Sequence, residues 1–285
     1  MVNFIKFILT PIMVLCLTSC ASGGPAESFS YTEPDPTDTL EAGDLIWSDE
    51  FNGTGSPNRN NWTYDIGHGS NGWGNNEVQY YTDEQKNVRV ENGLLIIDAI
   101  KENGQWTSAR IKTEGLQSFK HVTVKARAKL PKGSGTWPAI WMLGSNFKDI
   151  GWPASGEIDI MEHVGKDPGI VHSSLHTPSS HGNTQNSGQI EVPDFHDEFH
   201  IYETVWTPDS ITFKVDGETF YTYNPSIKNF ETWPFNDNFF IIINIAMGGN
   251  WGSDRQYETG GMRNGIDPNL NHARMEVDYI RVYKN

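Results

Sequence analysis

From residue 43 onward, short hydrophobic runs recur along the chain, and many of them alternate with polar residues. Alternation with a period of two is typical of β-strands, because successive side chains of a strand point to opposite faces of a sheet. Turn-forming Gly, Asn, Asp and Pro separate the runs, and no long amphipathic helix is indicated. The runs that predict strands are 94–99, 121–130, 205–215, 218–223, 239–246 and 275–283.

The run 121–130 alternates most clearly. Its apolar and polar residues fall on opposite faces, with Val122, Val124, Ala126, Ala128 and Leu130 against Thr123, Lys125, Arg127 and Lys129. The stretch 43–285 contains no second linker and no repeat, and its length suits one β-sandwich domain. We therefore predict an all-β fold, a jelly-roll sandwich of two antiparallel sheets in a single domain.

The segment 156–163 places three carboxylates within six residues, interleaved with isoleucine. In a regular strand Glu157 and Asp159 share one face, and the isoleucines share the other. Glu162 lies five residues after Glu157, so an unbroken strand would point its charge into the core at a high cost in free energy. One extra residue near Met161, a β-bulge, would return Glu162 to the face of the other two acids.

Three neighbouring carboxylates repel one another, so one of them should hold a proton at neutral pH. The hydrolysis of a glycosidic bond requires two carboxyl groups with separated pKa values, one ionised and one protonated. The spacing alone leaves two other interpretations open, an exposed acidic strand or a calcium site. The segments around the acids are needed to decide among them.

Composition narrows the possible partners. The net charge of −15 argues against nucleic acid, because an acidic surface repels the phosphate backbone. Ten tryptophans suit a site where flat rings stack on sugars, although large β-cores also use tryptophan. The two cysteines are Cys16 and Cys20, so no disulfide is expected in the folded domain.

The first residues indicate export. Lys6 precedes the apolar run 7–17, which is too short to span a bilayer. The following Leu17-Thr18-Ser19-Cys20 is similar to the bacterial lipobox, and an ordinary signal peptide cleaved nearby is the alternative. We predict a lipoprotein signal peptide at 1–19, then the lipidated Cys20 with a flexible linker at 20–42. The protein would be lipid-anchored to the bacterial cell envelope, with the outward-facing side of an outer membrane as one candidate location.

Two aromatic segments contain candidates for sugar contacts. The segment 73–81 combines a Gly-Asn turn with amide side chains that can bond hydroxyl groups, and a plain turn before a strand is the alternative. Trp137 and Trp141 are four residues apart and so share a face of a strand just before the acidic strand. They could form stacking surfaces beside the acids or belong to the core.

Further candidates follow the acidic strand. His172 and His176 share a face and could line the same site, or simply lie at a sheet edge. On a strand these two residues are about 13 Å apart, too far for one zinc ion. Asn244 lies inside an apolar strand, where its amide needs partners, and core and site positions are equally compatible with it. Trp251, in the Gly-rich turn 247–252, favours a position at the rim of the site.

Together these residues resemble glycoside hydrolase family 16. The sequence Glu157-Ile158-Asp159-Ile160-Met161-Glu162 is similar to the catalytic signature of that family. The segments 73–81, 137–143 and 248–252 are similar to its bacterial laminarinase branch. The resemblance runs from residue 44 to residue 283 in the order of the family.

The resemblance implies a concanavalin A-like jelly roll and a retaining endo-β-1,3-glucanase (laminarinase), with mixed-linkage β-1,3-1,4-glucans as further substrates. Glu157 would be the nucleophile, Glu162 the acid/base, and Asp159 the residue that tunes the pair. The residues implied in substrate binding are Asn76, Trp137, Trp141, His176 and Trp251.

The resemblance also implies a structural calcium ion far from these acids, held by groups at the first and last strands. Glu50, the Gly93 carbonyl and Asp278 match those positions, and oxygen ligands from distant segments suit calcium. A salt-bridged Asp278 is the alternative. No catalytic cofactor is expected, and the protein is expected to be a monomer.

Two other functions stay open. The same fold could act on agar or carrageenan, because those branches share the catalytic strand. The protein could also be a non-catalytic surface glycan-binding protein, although its intact set of three acids argues against this. Ser253, where a further glycine is common in the family, and the long loop 260–267 leave the outer subsites undefined.

Overall fold

The computed structural model describes residues 44–285, and seventeen β-strands make up most of the regular structure in that range. The predicted signal peptide, Cys20 and the predicted linker lie outside the described residues. The strands are β1 (Leu45–Asp49), β2 (Thr63–Asp65), β3 (Tyr80–Tyr81), β4 (Val88–Glu91), β5 (Leu94–Glu102), β6 (Gln105–Ser108), β7 (Arg110–Lys112), β8 (Val122–Lys129), β9 (Thr136–Gly144), β10 (Glu157–His163), β11 (Ile170–His176), β12 (Ser187–Glu191), β13 (His200–Trp206), β14 (Ile211–Val215), β15 (Glu218–Tyr223), β16 (Phe239–Met247) and β17 (His272–Lys284).

The helical elements are short. They are α1 (Phe147–Ile150), α2 (Gly249–Gly252), a 3₁₀ turn at Arg255–Tyr257 and a π-type turn at Gly72–Asn76. Within residues 44–285, none of the helices combines the length and the apolar character that crossing a bilayer requires.

The strands form two sheets. The ten-stranded sheet has the order β15-β14-β13-β8-β17-β5-β6-β3, with β1 also pairing with β17 and β4 with β5. The seven-stranded sheet has the order β12-β11-β10-β9-β16-β7-β2. All pairings are antiparallel except that of the two-residue β3 with β6. The predicted all-β jelly-roll sandwich of a single domain is therefore confirmed, with one parallel pairing near an edge.

The core lies between the two sheets. The apolar face of β8 contributes Val124, Ala126 and Ala128, which are fully buried, as the alternation in the sequence predicts. The opposite sheet contributes Ile158 and its apolar neighbours in β10 to the same cluster. The acidic strand therefore buries its apolar face and leaves its acids on the other side.

One predicted strand is wrong in extent. The run 205–215 forms the end of β13, a turn, and then β14, so the chain reverses within it. In the turn the backbone N–H of Thr207 donates to the carbonyl of Ser210 over 2.9 Å, and the Ser210 N–H donates to the Thr207 hydroxyl over 2.9 Å. The Thr-Pro-Asp-Ser sequence favours this turn, because proline lacks an N–H and short polar side chains bond the backbone.

Strand β16 is buried along its whole length. One side of it packs in the core, whereas Phe240 and Ile242 form a small second cluster with Leu143 on the opposite side of the sheet. Trp141 and Phe147 pack against this second cluster. The continuous apolar run of β16 therefore reflects burial on both faces.

The predicted bulge in β10 is confirmed. Asp159 lies opposite Trp141 of β9, and Met161 lies opposite Ile140, so Ile160 has no partner on that side. The Ser173 hydroxyl of β11 donates to the Ile160 carbonyl over 2.7 Å and so satisfies the group that the bulge leaves free. Ile160 and Met161 both point into the core, and the alternation shifts by one residue.

Of the three residues that the resemblance implies for calcium, two form ion pairs with arginines and the third lies in a turn. The Glu50 carboxylate accepts two hydrogen bonds from the Arg281 guanidinium, of 3.0 and 2.9 Å. The Asp278 carboxylate accepts one from Arg127 over 2.6 Å. Gly93 lies in the tight turn between β4 and β5 with a positive φ of 78°. A calcium ion would have to compete with two guanidinium groups, and the calcium site stays a prediction.

The calcium prediction can be tested without reference to function. If calcium links the first and last strands, EDTA lowers the melting temperature of the purified protein, because the ion stabilises only the folded state. Added calcium then restores the melting temperature and magnesium does not, as calorimetry would record. A melting curve that EDTA leaves unchanged, with no calcium found by elemental analysis, would contradict the site.

Candidate active site

The three acids of β10 lie on the face of the seven-stranded sheet that points away from the core, here called the site face. Glu157 is directly opposite His176 of β11, and Asp159 is opposite Trp141 of β9. Residues opposite each other on antiparallel strands point to the same face, so these side chains share one surface. Because of the bulge Glu162 joins them, although its spacing from Glu157 is odd.

His176 joins two of the acids. Its Nε2 atom lies 3.1 Å from Oδ2 of Asp159 and 3.6 Å from Oε1 of Glu157. Its Nδ1 atom accepts a hydrogen bond of 3.1 Å from the backbone N–H of Gly182. Burial lowers the pKa of His176, but the charge of Glu157 and the hydrogen bond to Asp159 outweigh it and raise the pKa to about 10. A second ring proton would sit on Nδ1 and remove the lone pair that the Gly182 N–H needs, so this hydrogen bond works against the raised pKa, and we assign the neutral ring with its proton on Nε2.

The acids have unequal pKa values. Burial and the charge of Asp159 raise the pKa of Glu162 to about 8. Burial and the charge of Glu157 raise the pKa of Asp159 to about 7. The pKa of Glu157 is also raised, because burial and the charge of Glu162 outweigh the lowering effects of His176, Arg110 and a hydrogen bond from Asp159. At neutral pH, Glu162 therefore holds a proton, and Glu157 is the acid whose anion has the most donors around it.

Two tryptophans surround Glu162. The Trp137 indole N–H donates to Oε1 of Glu162 over 3.0 Å. The Trp251 ring meets the Trp137 ring edge-on, with centroids 5.6 Å apart, and His172 meets Trp251 edge-on at 4.9 Å. Lys166 donates to the carbonyl groups of Trp251 and Ser253 and so holds this loop in place. Trp137 thus contacts Glu162 and Trp251 packs against Trp137, and their roles in substrate binding stay predictions.

A chain of hydrogen bonds leads away from Trp141. Its indole N–H donates to the Asn244 side-chain oxygen over 2.8 Å, and the Asn244 amide donates to the Tyr81 hydroxyl over 3.1 Å. The Tyr81 hydroxyl donates to the Glu77 carboxylate over 3.1 Å, and Gln79 donates to the same oxygen over 2.7 Å. Asn244 therefore has partners on the site face, and the buried acid Glu77 is a further member of this network that the sequence pattern does not single out.

Asn76 is hydrogen-bonded to the segment that carries Trp251. Its amide donates to the side-chain oxygen of Asn250 over 2.8 Å. Asn250 precedes Trp251 in α2, so Asn76 joins the loop 72–76 to the rim that carries this tryptophan. Its role in substrate binding stays a prediction.

Ser253 and the long loop 260–267 also lie at this rim. The Ser253 hydroxyl donates to Glu258 over 2.9 Å and accepts from the N–H of Gly265 over 2.8 Å. A side chain at Gly265 would collide with the Asp254 carbonyl, because a Cβ atom there would lie 2.0 Å from it. Ser253 thus fastens the loop and gives the rim a defined shape.

Two residues of the site face were missed in the sequence. Trp152 is 46% exposed, and its ring centroid lies 5.7 Å from that of His176. Arg110 of β7 lies with its guanidinium carbon 4.8 Å from the ring centroid of Trp141. The sequence offers two signals for these residues. One is a Trp-Pro pair just before the acidic strand, and the other is an arginine and a lysine that alternate with isoleucine in β7. Neither signal shows which residues Trp152 and Arg110 contact, because those contacts depend on the strand order.

One group within residues 44–285 has three side chains that could hold a metal ion. Glu157, Asp159 and His176 offer ligand atoms that all lie within 4.8 Å of one another. However, the Gly182 N–H occupies the Nδ1 lone pair, so the ring proton sits on Nε2 and leaves no lone pair facing the acids. The arrangement suits a shared proton better than a metal ion.

Comparisons with known proteins agree with one another. A family model described as glycosyl hydrolases family 16 matches residues 70–281. The β-glucanase of Rhodothermus marinus is 42% identical over 263 residues, which cover 88% of this chain and 88% of that protein. The glucan endo-1,3-β-glucosidase of Cryptopygus antarcticus is 39% identical over 226 residues, covering 73% and 81%. The crystal structure of a laminarinase from Flavobacterium sp. UMI-01 matches with a TM-score of 0.77 at 45% identity, covering 84% of this chain and 100% of that one.

The hydrogen bond from Trp137 yields a titration prediction. The indole N–H stabilises the ionised form of Glu162, so Trp137→Phe should raise the pKa of Glu162 further above its ordinary value. Carbon-13 NMR of glutamate labelled at the side-chain carboxyl would follow this titration. Trp141→Phe is the matched control, because its indole donates to Asn244 and not to an acid. An unchanged or lower Glu162 pKa in Trp137→Phe would contradict the assignment.

Proposed function

Because the chain belongs to family 16 of the glycosyl hydrolases, we propose that it is a retaining endo-β-1,3-glucanase that hydrolyses laminarin-type glucans. The chain is a glycoside hydrolase, and β-glucan is the substrate that its relatives support. Mixed-linkage β-1,3-1,4-glucans are proposed as further substrates. The observation that carries the proposal is the bulged strand, which brings two glutamates with unequal pKa values to one face.

In the first step, Glu162 acts as the acid. Its raised pKa keeps a proton available at neutral pH, and this proton passes to the glycosidic oxygen as that oxygen leaves the anomeric carbon. A Glu157 carboxylate oxygen attacks the anomeric carbon and forms the covalent glycosyl-enzyme. The ionised Glu162 then removes a proton from water, and this water releases the sugar from Glu157 with net retention.

Asp159 and His176 serve Glu157 in this proposal. With a pKa of about 7, Asp159 is partly protonated at neutral pH, and in its protonated form it donates a hydrogen bond to Glu157, which favours the anion that attacks. The Nε2 proton of His176 faces both of these acids. When Glu157 loses its charge in the covalent intermediate, the Nε2 proton of His176 still faces Asp159. The charges of Glu157 and Asp159 can therefore readjust without a large movement of either side chain.

The aromatic residues form the proposed walls of the substrate site. Trp137 and Trp251 lie on the Glu162 side, and Trp141 lies opposite Asp159. Trp152, exposed beside His176, extends the same surface past the acids. Flat rings in these positions suit the apolar faces of glucose units. Asn76 and His176 are proposed to bond sugar hydroxyl groups.

We expect Glu157→Gln to abolish turnover and leave glucan binding largely intact, because the nucleophile is lost but the shape is kept. Reducing-end release would be measured for both proteins on laminarin, mixed-linkage glucan, agarose and carrageenan. Release from laminarin by the wild type alone is the expected outcome. Release only from a galactan would replace the substrate, and laminarin binding without release from any polymer would favour the binding-protein alternative.

Glu162→Gln is the companion variant that separates the two roles. It should lose activity on laminarin, yet regain part of it with azide on an aryl glycoside whose leaving group needs no acid. Glu157→Gln should show no such rescue. A glycosyl azide of retained configuration from Glu157→Gln, and none from Glu162→Gln, would reverse the two assignments.

We also propose that the enzyme is exported and lipid-anchored through Cys20, at the surface where polysaccharide is met. The support for this is the lipobox-like sequence that ends at Cys20, followed by the polar linker. A monomer on a flexible linker would reach an insoluble or high-molecular-weight polymer without leaving the cell.

Cell fractionation tests this anchor. The wild type should sediment with membranes, whereas Cys20→Ala should appear in the soluble or secreted fraction because the acyl chains are absent. Cys16→Ala is the matched control, since it changes a cysteine within the predicted signal peptide and keeps Cys20. Equal partition of the wild type and Cys20→Ala would contradict the proposed anchoring.

A further inference from the structure

Arg110 lies enclosed on the site face between two indole rings. Its guanidinium carbon is 4.8 Å from the Trp73 ring centroid and 4.8 Å from that of Trp141. Its Nε atom lies 2.9 Å from Oδ2 of Asp65, which is in β2, and the arginine side chain is only 13% exposed. A planar, weakly hydrated guanidinium suits such a position, because it can stack on a ring with each face.

The Trp73 ring is held in this stack although the backbone conformation of Trp73 is unfavourable. Trp73 adopts a left-handed φ of 55°, which is unfavourable for a bulky residue. Its indole N–H donates to the Gly67 carbonyl over 3.3 Å, and its ring packs so closely on Gly69 that a Cβ there would lie 2.5 Å from it. The ring is therefore fixed in place, and Arg110 is one of the groups that compensate for the strain.

The Trp141 end reaches the acids. Arg110 lies opposite Asn244 of β16, and Asn244 accepts the indole hydrogen bond of Trp141. Trp141 is in turn opposite Asp159 on β10. One ring beside the catalytic acids is thus held on its face by the guanidinium and on its edge by Asn244.

The charge of Arg110 acts on the surrounding acids. It lowers the pKa of Glu157 and of Glu77, against the raising effect of burial on both. Asp65 neutralises part of this charge and also forms an ion pair with Lys112, whose Nζ atom lies 2.6 Å from Oδ1 of Asp65. On its other sides, Glu157 faces the acids of its own strand and the histidine of β11 described above.

We propose that Arg110 is a positioning residue of this site. It joins Trp73 and Trp141 into one rigid wall for the glucan beside the catalytic acids. The inference rests on the proposed function, since it assigns a role within the same site. Arg110 acts through Trp141 and through its field, and no contact with the reacting atoms is assigned to it.

Two variants separate the stacking from the charge. Arg110→Lys keeps the charge but cannot stack on both rings, so KM for laminarin should rise about 3- to 10-fold and the acidic limb of kcat/KM should stay in place. Arg110→Met keeps an apolar side chain of similar length without the charge. In this variant KM should rise similarly, and the acidic limb should also move to higher pH, because Glu157 then loses its proton less readily.

Arg127→Met is the matched control on the ten-stranded sheet. Arg127 also stacks on an aromatic ring, with its guanidinium carbon 4.8 Å from the Phe199 centroid, and it also pairs with an aspartate, Asp278. Its loss should leave KM and the acidic limb unchanged. Circular dichroism and melting curves would show that all three variants are folded at the assay temperature.

The outcomes distinguish the inference from the proposed function. Hydrolysis of laminarin by the wild type, with KM and the acidic limb unmoved in folded Arg110→Met, would overturn the role of Arg110 alone. Loss of stability without either kinetic change would show a structural role and also overturn it. A wild type inactive on laminarin would instead overturn the proposed function. Laminarin affinity and tryptophan fluorescence of the Arg110 variants would then still test the wall.

Discussion

An ionised carboxylate that pointed between the two sheets would have no partner there. The free-energy cost of burying its charge would exceed the free energy of unfolding of most domains. One unpaired residue, Ile160, prevents this for Glu162. Because the alternation shifts at that point, Ile160 and Met161 both enter the core and the next acid emerges on the site face. The position of the proton donor, the contact with Trp137 and the separation of pKa values all depend on this irregularity in β10.

The site then works as one coupled electrostatic unit. Four ionisable groups, three acids and His176, share a small buried volume, so the charge state of each depends on the others. Neutral donors refine the arrangement at its ends, with the Trp137 indole on Glu162 and the Gly182 amide on His176. Burial supplies the upward shift of the pKa values of the acids, and the charges of the neighbouring groups make those shifts unequal.

Much of the site was predictable from the sequence, because the alternation of side chains along a strand determines which residues share a face. The spacing of Glu157, Asp159 and Glu162 requires a bulge once the strand is recognised, and the four-residue spacing of Trp137 and Trp141 places both on one face. Arg110 and Trp152 were not predictable in the same way. Their neighbours come from β2, β9, β16 and β11, and strand order depends on the whole sandwich. The reversal inside 205–215 was not predicted, because the apolar alternation resumes after the turn residues 207–210.

The burial of β16 on both faces has a consequence for motion. It lies next to β9, and β9 lies next to β10, so the strand that carries the acids has at least two strands on each side and is not at an edge of its sheet. Amide hydrogens in such strands exchange with solvent only when the whole domain opens, whereas loops exchange through small local openings. Adaptation to glucans of different shape therefore falls to the segments 72–76, 177–186 and 249–267. Natural variation in chain-length preference can accumulate in those loops while the proton chemistry stays unchanged.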